Sequence, residues 1–158
     1  MPSTYDKIQS TTLPSATATI TLSSISSAYT DLVLVLSGLY TTSNFVNCKI
    51  NNDSGSNYSA TNLRGDGSSA TSGRYSNASF GIGFGENPEN TIFHFMNYGN
   101  TTTNKTIIVR SNKASSETRA VVGLWRSTAA INRLDLLHDS ANGFNTGTMV
   151  TLYGIKAA

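Results

Sequence analysis

Two histidines, His94 and His138, nine carboxylates and one thiol are the groups in this 158-residue chain with the chemistry for catalysis or metal binding. A Ser–His–Asp arrangement needs an imidazole held between an acid and an activated hydroxyl. With 22 serines, proximity to a histidine is guaranteed by number alone, and no Gly-x-Ser-x-Gly elbow marks a nucleophile. Both histidines fall in stretches that read as strands, so both are expected to be structural. Two histidines without close spacing also make a poor zinc site. Paired carboxylates run glycoside hydrolysis, but most of Asp6, Asp31, Asp53, Asp66, Asp139, Glu86, Glu89 and Glu117 sit in turns or at strand ends, where Asp serves turn geometry. Asp135 lies mid-strand beside Arg133 and reads as half of a local ion pair. Cys48 stands alone, which leaves no intrachain disulfide and no cysteine-based metal site. It reads as a small buried thiol in a strand.

Three further segments resemble binding motifs. Asn51–Asn57 places oxygen side chains on alternate residues around Gly55, as calcium loops do, but it lacks the acidic density and closing Glu of an EF-hand. A tight turn between strands is the preferred reading. Gly81-Ile-Gly-Phe-Gly85 is glycine-rich, yet no helix start follows to cradle a phosphate. Five Asn-x-Ser/Thr sequons, at Asn52, Asn57, Asn77, Asn100 and Asn104, are what this composition yields by chance. Among the aromatic residues, Tyr40, Tyr58, Tyr75 and Tyr98 fall at loop edges and are the candidates for ligand or partner contact. No catalytic, cofactor-binding or metal-ligating residue is assigned, and the chain is read as a non-enzyme with no cofactor.

The elements that would position these groups are strands. Ser, Thr, Asn and Gly account for 72 of the 158 residues, and the apolar runs set among them are rich in Val, Ile, Thr, Tyr and Phe, which favour strands. The spacing predicts ten strands: Thr17–Leu22, Asp31–Ser37, Val46–Asn51, Asn57–Leu63, Phe80–Phe84, Thr91–Tyr98, Lys105–Ser111, Arg119–Arg126, Ile131–His138 and Thr148–Ile155. Short strands at regular intervals with turn residues between them describe a β-sandwich. Gly65–Gly73 and Asn97–Asn104 read as flexible loops, and a helical turn is allowed only near Ser23–Tyr29. The organisation expected is an N-terminal arm at residues 1–15, lying across a neighbouring subunit, and one sandwich domain at residues 16–158.

Strand faces carry a second message. Arg119–Arg126 has Ala120, Val122 and Leu124 on one face, with Val121 and Trp125 on the other. Phe93 and Phe95 likewise stand opposite Ile92 and Met96. A half-solvated antiparallel sheet alternates apolar with polar, so strands apolar on both faces need cover from a second layer or another subunit. Charged residues make up 13% of the chain and the net charge is +2, a surface suited to assembly. The six Arg and five Lys are scattered without any adjacent pair, which argues against nucleic acid as a partner. The stretch Met1–Ile8 has no signal-peptide pattern, and the longest aliphatic run, Leu32–Leu36, is far short of the ~20 residues of a membrane helix. The expectation is a protein made in the cytoplasm with no membrane partner.

Asn52-Asp-Ser-Gly-Ser-Asn-Tyr-Ser59 directly after a strand is similar to an element of small virion proteins of tailed bacteriophages. So is Phe144-Asn-Thr-Gly-Thr-Met-Val-Thr-Leu-Tyr-Gly-Ile-Lys156, preceded by Ile131-Asn-Arg-Leu-Asp135. The resemblance covers about a third of the chain. It implies a jelly-roll-like antiparallel β-sandwich and a place in the virion, as a capsid cement or decoration protein that bridges neighbouring capsid subunits. The implied partners are the major capsid protein and two further copies in a homotrimer. The alternative role is a receptor- or glycan-binding module of a head fibre or tail fibre, with a host-surface glycan as partner.

Overall fold

In the computed structural model, which describes residues 4–41, 45–77, 79–84, 89–113 and 117–156, the strands nest like the two arms of one long hairpin. The strands in chain order are β1 (Tyr5–Thr12), β2 (Thr19–Leu22), β3 (Asp31–Gly38), β4 (Phe45–Ile50), β5 (Tyr58–Gly65), β6 (Ala70–Asn77), β7 (Phe80–Phe84), β8 (Glu89–Phe95), β9 (Lys105–Lys113), β10 (Glu117–Trp125), β11 (Leu134–His138) and β12 (Met149–Ile155). β1 pairs with β12, β2 with β11, β3 with β8 and β4 with β7, all antiparallel. Rolled up, those eight strands form two sheets, β1-β12-β3-β8 and β2-β11-β4-β7, which is a jelly roll. The hairpin β5–β6 and the pair β9–β10 are insertions into that plan. They extend the first sheet to eight strands in the order β1-β12-β3-β8-β9-β10-β5-β6. The chain is a jelly-roll-like antiparallel β-sandwich of one domain.

Alternation explains why the layers meet as they do. In β3, Leu32, Leu34 and Leu36 are fully buried while the residues between them are only partly so. Phe93 and Phe95 of β8 and Ile107 and Val109 of β9 continue that inner face. Across the core stand Leu134 and Leu136 of β11 with Val46, Cys48 and Ile50 of β4. Each such side chain contributes about 1.5–3 kcal/mol of transfer free energy on burial.

All ten expected strands are present, with ends shifted by a few residues. Two more were not expected. The segment read as an N-terminal arm contains β1, which lies along β12 in the same chain with a bulge between Lys7 and Gln9. The stretch Gly65–Gly73, expected to be a flexible loop, is a hairpin turn leading into β6. Asp66 accepts hydrogen bonds from the backbone of Ser68 (2.8 Å) and Ser69 (2.7 Å), and Gly67 takes a φ of 89°. The loop after β8 is braced in the same manner, with the Asn100 side chain accepting from the backbone of Thr102 and Thr103. The residues Ser23–Tyr29 form no helix.

Candidate functional site

The smaller sheet covers only one face of the larger one, so the other face of the eight-stranded sheet points outward. Pairing registers define what that face presents. One row runs Tyr153, Val33, His94, Ile108, Val122 and Thr61 from β12 to β5. The next runs Thr151, Val35, Ile92, Arg110, Ala120 and Leu63. These rows are dominated by β-branched and aliphatic side chains, and Val122 and Leu63 remain 51% and 56% exposed. Eight strands spaced about 4.8 Å apart make a sheet roughly 35 Å across. Ile108, Val122 and Leu63 are exposed near one another on adjacent strands there, with Arg110 and Thr61 among them, an apolar cluster that a second surface could cover.

The residues with chemical potential, His94 on that face among them, are occupied by the fold. His94 Nε2 lies 2.9 Å from Asp31 Oδ2, whose other oxygen accepts from the Asn97 backbone N–H at 2.7 Å. His138, on the inner face of the smaller sheet, accepts from the Ser140 N–H at Nδ1 and packs between Tyr40 and Phe144. Gly143 makes room for it, since a Cβ there would fall 1.8 Å from Nδ1.

Asp135 and Arg133 form the expected ion pair, with Arg133 Nη2 2.8 Å from Oδ1 and Nε 2.8 Å from Oδ2. The Thr21 hydroxyl donates to Oδ1 at 2.6 Å. Burial works to raise the Asp135 carboxyl, but the Arg133 guanidinium and the Thr21 hydroxyl outweigh it and leave the pKa below the usual carboxylate range. Burial, with Asp135 close by, pushes the Cys48 thiol well above its ordinary value. Lys105 is buried and donates to the carbonyls of Thr103 (2.8 Å) and Thr128 (3.2 Å), and burial lowers its pKa.

The Asn51–Asn57 segment is the tight turn expected. Asn51 and Asn52 take positive φ. The Asp53 carboxylate accepts from the Trp125 indole N–H (2.7 Å), the Asn57 amide (2.9 Å) and the Gly55 backbone (2.8 Å). Those donors, the indole first, hold its pKa below the ordinary value. Of the four loop-edge tyrosines, Tyr40, Tyr58 and Tyr98 are core residues, and Tyr75 alone of the four is exposed. Tyr58 opens β5, while Tyr40 and Tyr98 lie just past the ends of β3 and β8, and all three turn inward, a placement that loop-edge position could not reveal.

No family model matches the sequence, and no curated protein matches it. Among solved structures, galectin LEC-6 of Caenorhabditis elegans is similar at 12% identity and a TM-score of 0.38, over 94% of this chain and 96% of that one. The PL-14 alginate lyase of Aplysia kurodai is similar at 9% identity and a TM-score of 0.29, over 85% and 72%. A human SPRY domain aligns at 11% identity with a TM-score of 0.24, over 92% and 96%. At these identities and TM-scores the likenesses carry no argument about this chain.

Proposed function

We propose that this protein is a structural component of a bacteriophage virion, a capsid cement or decoration protein that binds the major capsid protein as a homotrimer. The observation that carries the reading is the outward apolar face of the eight-stranded sheet, centred on Ile108, Val122 and Leu63. A sheet face this wide can supply the roughly 800 Å² per partner of a standard protein interface. Low charge over the chain as a whole reduces the electrostatic cost of packing copies together. Jelly rolls build viral coats, and they build lectins too, so the architecture alone decides nothing. The sequence resemblance favours the coat. In this role the protein acts mechanically and not as an enzyme: it spans neighbouring capsid subunits and adds buried area that resists internal pressure. It is made in the host cytoplasm and ends in the particle.

Quantitative mass spectrometry of purified virions tests this. A copy number comparable to that of the major capsid protein is the expected result, because only the shell offers so many sites. A handful of copies per particle would move the protein to a vertex or the tail and overturn the cement role.

A further inference from the structure

The inserted strands carry the larger sheet past the edge of the smaller one. β7, at that edge, packs over β9 and β5, and beyond it lies a cleft of about 270 Å³. Its floor belongs to the inner face of β5, β6 and β10. Asn62 sits there between Val121 of β10 and Gly73 of β6, with Tyr75, Asn77 and Arg119 around it. Phe45 and Asn47 of β4, with Asp139 just past β11, line the rest.

Three observations indicate a ligand. First, Asn62 is only 6% exposed, and its Oδ1 has no hydrogen-bond partner among the described residues. Buried acceptors are almost always satisfied, and leaving one open costs stability. Second, an aromatic ring is exposed at the cleft, Tyr75 at 49%. Gly73 leaves space for the tyrosine, since a Cβ there would stand 3.2 Å from its hydroxyl oxygen. Third, the charged side chains already hold partners within the protein. Arg119 Nε binds the Glu117 carboxylate, and Asp139 accepts from the Asn47 amide at 2.7 Å. With Arg119 held by a carboxylate a phosphate is disfavoured, and the amides of Asn47, Asn62 and Asn77 suit a neutral ligand.

An open aromatic ring, a buried amide oxygen and flanking amides suit a molecule with one apolar face and several hydroxyl donors. A volume just under the roughly 300–1,000 Å³ of drug-sized sites fits one or two rings. We propose that this cleft binds a neutral pyranose sugar, with Asn62 Oδ1 accepting from a ring hydroxyl and Tyr75 stacking on the C–H face. The cleft opens on the inner side of the sheet, away from the outward apolar face, so either proposal stands if the other fails.

The test is a ¹H–¹⁵N correlation NMR titration of the whole protein. The probes are glucose, galactose, mannose and N-acetylglucosamine to roughly 50 mM, enough to reveal millimolar binding, with soluble neutral polysaccharides alongside. Saturable shifts at Phe45, Asn62 and Tyr75 are expected. Tyr75→Ala should weaken binding at least about tenfold, and Tyr75→Phe should retain it. Asn62→Leu should abolish binding yet raise Tm, because it removes an unpaired buried oxygen. An asparagine needed only for folding would instead lower Tm. A response to polysaccharide but not to single sugars supports the proposal and places the sugar within a chain. No saturable shift from any probe, shifts unchanged by Tyr75→Ala, or tighter binding of inorganic phosphate or galacturonate overturns it.

Discussion

The Trp125 indole N–H donates to the Asp53 carboxylate at 2.7 Å, tying the end of β10 to a turn 72 residues earlier in the chain. Trp125 is buried and packs 6.4 Å, centroid to centroid, from the Tyr58 ring. One carboxylate therefore organises the Asn51–Asn57 turn and satisfies the tryptophan at once. Asp53→Ala leaves the buried indole N–H without an acceptor and should cost about 2 kcal/mol. The chain has one tryptophan, so urea unfolding followed by its fluorescence reads the loss directly. Asp53 is held below its ordinary pKa. Its stabilisation is thus fully present above the unfolded carboxyl value of about 3.9 and is lost as pH falls through the folded value. The difference between wild type and Asp53→Asn should accordingly narrow below about pH 4.

Removing Arg133 should have the opposite pH signature to ordinary acid unfolding. Asp135 is 3% exposed and depends on the Arg133 guanidinium to remain ionised at that depth. In Arg133→Ala the carboxyl keeps its burial and loses its cation, so its folded pKa rises above the unfolded one. Stability in that variant falls as pH rises through the neutral range, whereas the same carboxylate favours folding of the wild type there. Arg133 is itself partly exposed, so the loss near pH 7 should be smaller than for a fully buried pair. It should shrink toward pH 3. Denaturant curves across pH check this, and a pH-independent difference would contradict it.

On the outward face, Val122→Lys and Ile108→Lys should dissociate the assembly without weakening the fold. Both side chains are exposed in the single chain, and surface changes of this kind usually stay within about 0.5 kcal/mol. Analytical ultracentrifugation should show wild type as a trimer and the double variant as a monomer, with unfolding curves normalised to the monomer superimposing. A monomeric wild type would remove the basis for self-assembly through this face.

Cys48 should resist thiol reagents until the protein unfolds. Its side chain is fully buried in β4, and both burial and the Asp135 charge disfavour the thiolate, which is the reacting species. Labelling by a maleimide should therefore follow the opening of the sandwich. Increasing denaturant should raise the labelling rate along with the unfolded fraction.

Strands with aliphatic alternation were legible because both faces carry a signal. Asp31–Leu36 and Lys105–Arg110 could be read from Leu, Val and Ile alone. The two strands that were missed are the two edges of the larger sheet. β1 offers only Ile8 among its aliphatic residues, and β6 reads Ala-Thr-Ser-Gly-Arg-Tyr-Ser-Asn. An edge strand is held by backbone hydrogen bonds from one neighbour and is kept polar to discourage foreign pairing, so hydropathy says little about it. The Arg133–Asp135 pair was readable from its two-residue spacing within one strand. The cleft was not, because Asn62, Tyr75 and Phe45 come from three strands whose meeting depends on where the inserted hairpin docks. Nor does Asn62 stand out among sixteen asparagines. What distinguishes it is burial, which the sequence does not record.

The nesting of first strand with last has a consequence for biosynthesis. β3 sits inside the larger sheet between β8 and β12, and β12 leaves the ribosome only after every strand from β4 to β11. Until then the Asp31–Gly38 edge, with Leu32, Leu34 and Leu36 beside it, has no partner on that side, and Tyr5–Thr12 has none at all. The nascent chain therefore carries an open, leucine-rich strand edge until β12 emerges. Closure waits for β12, a topology in which distant pairings set a slow folding rate. Chaperone occupancy during translation would then bear on how much of the protein folds.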